Sequence, residues 1–76
     1  MEPLLVTLLP GQPDAALVTH EGQEFNLVLE GEIIITYDDK EHKLSAGDAV
    51  YFDPTHPHGQ KVVGEEKARF LTVITE

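Results

Sequence analysis

The stretch His20–Glu32, HEGQEFNLVLEGE, decides how this chain is read. It sets His20 and Glu24 at the mouth of an apolar run that stops at Gly31. In a strand, alternate residues share a face, so Glu24, Asn26 and Val28 point one way and Phe25, Leu27 and Leu29 the other. Both faces therefore carry apolar groups. Ligand-type side chains beside such a run are costly to bury unless something satisfies them, so they either stay near water or hold a ligand.

Working outward, hydrophobic spacing nowhere sustains a helical period, whereas short runs rich in Val, Ile, Leu, Thr, Phe and Tyr recur between turn signals. These predict strands over Leu4–Leu9, Ala15–His20, Glu24–Glu30, Glu32–Tyr37, Glu41–Leu44, Ala49–Phe52, His58–Val63 and Ala68–Thr75. The segments PGQPD, EGQ, DDK, SAGD, DPTHP and GEE supply the turns, and Gly31 joins the third run tightly to the fourth. About eight short strands without a helix predict an all-β barrel or jelly-roll sandwich. A sheet with one wet face is polar on that face, so the apolar groups on both sides of Glu24–Glu30 predict a cover from the N-terminal strand or a second subunit. With the small size of the chain, this favours a homodimer.

At 76 residues the chain is one small domain. Such a domain buries only about 60% of the surface of its unfolded form. It has no cysteine, so the staples left for a small core are a metal ion, a partner subunit or attachment to a larger protein. Five Lys and Arg against 14 Asp and Glu give a net charge of −9. So negative a surface repels phosphate backbones, which excludes direct nucleic-acid contact by this chain. The apolar stretch LLVTLL ends at Pro10 without a positively charged lead, and no run approaches the length of a membrane span. The expectation is a cytoplasmic protein with no membrane partner.

His20, Glu24 and His58 stand out for chemistry. Two histidines and one carboxylate form the ligand pattern of non-haem iron sites and also suit Zn, Mn, Ni or Co. The plain alternative is a solvated Glu opening a strand and two surface histidines, and spacing alone leaves both readings open. His56, two residues before His58, is the lesser candidate ligand, since an exposed loop histidine is its simpler role. His42, on a polar strand, is expected at the surface. Tyr51 and Phe52 are expected in the core, Asp48 as the cap of its own turn, and Glu65-Glu66 as a solvated turn.

The order of these features resembles the cupin superfamily. Its first motif reads G, five residues, HxH, three or four residues, E, six residues, G; its second reads G, five residues, PxG, two residues, H, three residues, N. His20, Glu24 and Gly31 match the second histidine, the glutamate and the final glycine of the first motif. Gly47 opens the second motif and His58 falls on its histidine. The resemblance implies a double-stranded β-helix, a jelly-roll barrel with these side chains directed into its lumen, and a divalent metal (Fe, Mn, Ni or Zn) as cofactor. Val18 stands where the first histidine belongs, so one ligand of the usual three-His-one-Glu set is missing. Asp53, Thr55 and Val62 replace the proline, the glycine and the asparagine of the second motif. What remains is either a three-ligand metal site with water in its open positions or a metal-free polar pocket for an organic ligand. Val18, Asn26 and Gln60 are the expected pocket-lining residues, Gln60 because it shares the face of His58.

HEGQEFNLVLEGEIIITYDD and LSAGDAVYFDPTHPHG further resemble the C-terminal cupin domains joined to an N-terminal helix-turn-helix of the Xre type, in which HxGEEFxYVLEGE and GDxxYFDxxxPH recur. Those domains are thought to sense a small effector and control DNA binding by the attached module. The opening MEPLLVTL resembles their linker-to-first-strand passage, where Met-Glu-Pro is often internal. On that reading residues 1–76 are a single cupin domain belonging to a longer regulator. Two functions follow: a sensor module for a small molecule or metal, favoured here, or a free-standing metal-dependent cupin enzyme of isomerase or dioxygenase type. Against the enzyme, no separate acid or base accompanies the motifs.

Overall fold

The structure, a computed structural model, describes residues 2–11 and 16–75. Seven strands follow in order: β1 (Glu2–Leu8), β2 (Gln23–Glu30), β3 (Glu32–Tyr37), β4 (Lys40–Ser45), β5 (Ala49–Phe52), β6 (His58–Val62) and β7 (Ala68–Thr75). They form two antiparallel sheets, one in the order β1-β7-β2-β5 and the other β4-β3-β6. No helix among the described residues is long and apolar enough to cross a membrane. The all-β jelly-roll barrel is therefore the observed fold.

Three of the expected strands, Glu32–Tyr37, Ala49–Phe52 and Ala68–Thr75, have the observed bounds, and four others differ at their ends by one or two residues. The run Ala15–His20 does not form a strand. Ala15 lies outside the described residues, and of the rest only Val18 pairs, in an isolated bridge with His58. Val18 N–H donates to His58 O and His58 N–H to Val18 O, each at 3.0 Å. The next hydrogen-bonded pair, His20 with His56, does not form, and His20 N–H turns instead to Pro54 O at 2.9 Å.

Between the sheets lie Val28, Ile33, Ile35, Ala68 and Phe70, flanked by Val6, Leu8, Tyr37, Leu44, Val50 and Val62. Strand parity divides this interior into two ends. Register pairs Ile33 with Val62 and Val28 with Phe70, which makes one end apolar. Further along the same strands, Ile35 pairs with Gln60, Tyr37 with His58 and Asn26 with Thr72, and Glu24 follows one step beyond. The other end of the lumen is thus polar yet closed, since Glu24, Asn26, His58 and Thr72 are all buried.

Gly31 links β2 to β3 at φ +76°, where a Cβ would stand 2.6 Å from Lys67 O. Only glycine fits both the left-handed backbone and that approach. Across the next hairpin, Asp38 (φ 51°) and Asp39 (φ 68°) form a two-residue turn with both centres left-handed, a conformation that Asp tolerates.

The outer face of the four-stranded sheet is apolar. Rows Pro3–Val73–Phe25–Tyr51 and Leu5–Leu71–Leu27–Ala49 run across it. Of the two covers expected for this face, the N-terminal strand is not one. Instead β1 extends the sheet at the edge of β7, because its free N–H and C=O groups are satisfied there. Tyr51, expected in the core beside Phe52, is 63% exposed on this face. Neighbours on one strand point oppositely, so only one of the two can be internal.

Candidate metal centre

β2 and β6 belong to different sheets and meet at the polar end of the lumen. Glu24, second residue of β2, points inward with its side chain 4% exposed, and His58, first residue of β6, faces it across the barrel at 2%. His20 approaches from the segment before β2 and remains 30% exposed. Its Nε2 lies 2.8 Å from Glu24 Oε1, and His58 Nε2 lies 3.2 Å from the same oxygen. The two rings meet edge to face with centroids 5.1 Å apart. One ligand atom from each of the three residues lies within 4.8 Å of the others.

The far nitrogen of each ring decides what this arrangement can do. His20 Nδ1 donates to Glu21 O at 3.1 Å, and His58 Nδ1 donates to His56 O at 2.9 Å. A carbonyl only accepts, so in both rings the hydrogen sits on Nδ1 and the neutral ring turns the lone pair of Nε2 toward Glu24. Two imidazole lone pairs and a carboxylate oxygen then converge with no donor between them, a set that requires a cation or added protons. Nδ1–H···O=C contacts of this kind fix the tautomer and orientation of metal-binding histidines. The donors present therefore fit a divalent metal ion, with His20, Glu24 and His58 as ligands.

Without a metal, protons fill part of this role. Burial opposes the charged form of His20, but the Glu21 carbonyl, together with the hydrogen bond and negative charge of Glu24, outweighs it, and the His20 pKa is raised above its ordinary value.

The loop carrying the His56 carbonyl is tied down by its own side chains. Asp53 Oδ1 accepts from Thr55 N–H at 3.0 Å and from the Thr55 hydroxyl at 2.7 Å. These two bonds, aided by the charge of His56, hold the Asp53 carboxyl below its usual range against a smaller opposing effect of desolvation. Tyr37 OH donates to Asp53 O at 3.1 Å, Asp38 N–H donates to Pro57 O at 3.1 Å, and Pro54 is fully buried. Tyr37 also packs edge-on against Phe52, and Phe52 against His58. So Asp53 and Thr55, two of the three positions that depart from the second cupin motif, build the turn that aims His58.

Of the expected pocket residues, Asn26 and Gln60 meet at Glu24, while Val18 is 53% exposed and touches the site through its backbone bridge to His58. Asn26 Nδ2 donates to Glu24 Oε2 at 2.8 Å, Gln60 Nε2 donates to the same oxygen at 3.2 Å, and it also donates to Asn26 Oδ1 at 2.8 Å. The His56 side chain lies outside, 3.7 Å from Asp38 and tilted against Tyr37. His42 is exposed. Asp48 Oδ2 accepts from Ser45 N–H at 2.9 Å and so closes its turn. Sequence reasoning missed Tyr37 and the buried Thr72, although their parity with Ile35 and Phe70 marks both as inward. It also missed the three carbonyls, of Glu21, Pro54 and His56, for which no side-chain signal exists.

A family model described as Cupin domain matches residues 4–74. The chain belongs to the cupin family. Within it, the chain is 35% identical over 52 residues to the HTH-type transcriptional regulator PuuR of Escherichia coli strain K12, an alignment spanning 68% of this chain and 28% of that protein. Among solved structures, the hydroxypropylphosphonic acid epoxidase from S. wedmorenis in complex with fosfomycin superposes with a TM-score of 0.84 at 34% identity, covering 96% of this chain and 42% of the other. A structure of the FeII form of HppE gives 0.85 at 32%, covering 96% and 41%. An HTH_3 family transcriptional regulator from Vibrio cholerae gives 0.83 at 28%, covering 97% and 42%. This cupin domain thus resembles both the corresponding part of regulators and a metal enzyme, and it spans less than half the length of each.

Proposed function

We propose that this cupin domain is the sensor module of a helix-turn-helix transcriptional regulator, binding a small-molecule effector through a divalent metal ion held by His20, Glu24 and His58. The observation that carries the reading is the pair of Nδ1–H···O=C contacts, which leave two Nε2 lone pairs facing one carboxylate oxygen. Fe, Mn, Ni and Zn all suit two imidazoles and a carboxylate. When bound, such an ion supplies Lewis-acid attraction for an oxygen or nitrogen donor of the effector at its open positions. The likeness to PuuR and to the Vibrio cholerae regulator supports the regulatory setting. The same setting makes the parent protein cytoplasmic, with the DNA contacts made by the attached module and not by this acidic barrel. The apolar outer face of the β1-β7-β2-β5 sheet favours a homodimer, a state that light scattering on the eluted protein measures directly.

Elemental analysis of protein purified without chelator tests the metal. The expected result is about one first-row metal ion per chain, lost in His58→Ala. Metal-free protein whose thermal midpoint ignores added Mn, Fe, Ni and Zn would sink the reading. The regulatory setting fails if the natural reading frame carries no helix-turn-helix segment. The second reading, a metal-dependent cupin enzyme, is favoured by the 32% identity to FeII HppE. Against it, the Tyr37 hydroxyl near the site is engaged with Asp53 O and so is not poised as an acid or base.

A further inference from the structure

Asn26 and Gln60 act on one atom of the site, and that asymmetry says how the carboxylate binds. The two oxygens of Glu24 have separate surroundings. Oε1 faces His20 Nε2 and His58 Nε2, whereas Oε2 accepts from Asn26 Nδ2 and Gln60 Nε2. The Asn26 amide cannot be turned over, because Gln60 Nε2 donates to its Oδ1 at 2.8 Å and a reversed amide would aim an oxygen at the carboxylate. Gln60 is attached to the other sheet, so the three side chains form a closed bracket between β2 and β6. Asn26 is fully buried, and no buried side-chain nitrogen or oxygen among the described residues lacks a partner.

We propose that Asn26 and Gln60 are positioning residues that hold Oε2 away from the ion and restrict Glu24 to binding through Oε1 alone, thereby setting how many metal positions stay open for the effector. The inference rests on the metal reading above. A six-coordinate ion with two imidazoles and a single carboxylate oxygen keeps about three positions for water or effector, and a two-oxygen carboxylate leaves about two. The bracket therefore reserves the space that an effector with two donor atoms needs beside a remaining water. Partners in the second layer that fix a ligand in this way carry weight: their loss typically weakens metal binding by about 10- to 100-fold.

The test uses Mn(II) alone as the probe and reads water-proton relaxation per bound ion, which scales with the number of exchangeable waters on the metal. The variants are Gln60→Leu, at a half-buried position, and Asn26→Leu, at the buried one. In Gln60→Leu we expect relaxation per bound Mn(II) to fall by about one third as Oε2 joins the ion and displaces one of three waters. Asn26→Leu gives the same change if it folds, and Gln60→Leu carries the test if it does not. A purely structural role would lower the thermal midpoint of the metal-free variant and leave relaxation per bound ion as in the wild type. That result, in Gln60→Leu that binds Mn(II), overturns the positioning role while the metal reading stands. Absence of Mn(II) uptake by the wild-type protein overturns both.

Discussion

Gly31→Ala should be far more damaging than Gly47→Ala, and the difference measures one interatomic approach. Both glycines have left-handed backbones, at φ +76° and φ +94°. For an L-residue that conformation costs about 1–2 kcal/mol, offset by about 0.4–1 kcal/mol from the stiffer unfolded chain. At Gly47 a Cβ would meet nothing within 4 Å, so the net cost there is about 1 kcal/mol. At Gly31 the added carbon would stand 2.6 Å from Lys67 O and 3.0 Å from Ala68 Cα, both backbone atoms leading into β7. No side chain can rotate aside, so β7 must shift away from the β2–β3 corner, at an added cost of about 1–3 kcal/mol. The expected total is about 2–4 kcal/mol.

A domain of 76 residues has a stability of about 4–11 kcal/mol, so Gly31→Ala removes a large share of it. Urea unfolding followed by circular dichroism reads the effect. With a slope of about 1 kcal/mol per molar, the midpoint should fall by about 1 M for Gly47→Ala and by about 2–4 M for Gly31→Ala. Equal midpoints for the two variants would refute the argument, since the left-handed backbone alone would then explain both glycines.

Four further outcomes follow from the site and the core. Because the His20 pKa is raised by Glu21 and Glu24 against the effect of burial, His20 stabilises the metal-free protein fully below pH about 6.5 and loses that contribution as pH rises through its folded-state pKa; the thermal midpoint of chelator-treated protein should decline over that window. Metal uptake has the opposite slope, since the proton on His20 must leave, and the midpoint gain from added Zn should grow as pH rises through the same window; a gain that is flat or falls with pH would contradict the ligand role of His20. Phe70→Ala, which empties a buried position between the sheets, should cost about 3–5 kcal/mol by urea unfolding. Tyr37→Phe removes the hydroxyl bond to Asp53 O and should lower stability by about 1 kcal/mol, with metal stoichiometry by elemental analysis unchanged.

The barrel was legible because alternation and turn chemistry are local. Glu32–Tyr37 alternates inward and outward, and the Asp38-Asp39 turn needs only residues that tolerate a left-handed backbone. The spacing of His20, Glu24 and Gly31 likewise survives in one dimension. Tyr51 shows the limit: a strand rich in β-formers does not say which face is covered, and parity against Phe52 settles it. Asn26 and Gln60 were legible as inward-facing, whereas their shared hold on a single carboxylate oxygen depends on two sheets meeting.

The run before β2 failed as a strand for the same reason that the site exists. Had the ladder continued from the Val18–His58 bridge, His20 and His56 would be the next hydrogen-bonded pair, and His56 O would accept from His20 N–H. The Asp53–Thr55 turn diverts the chain, so His20 N–H goes to Pro54 O and His56 O is left to accept from His58 Nδ1. One broken ladder rung thus swings the His20 side chain toward Glu24 and fixes the tautomer of His58.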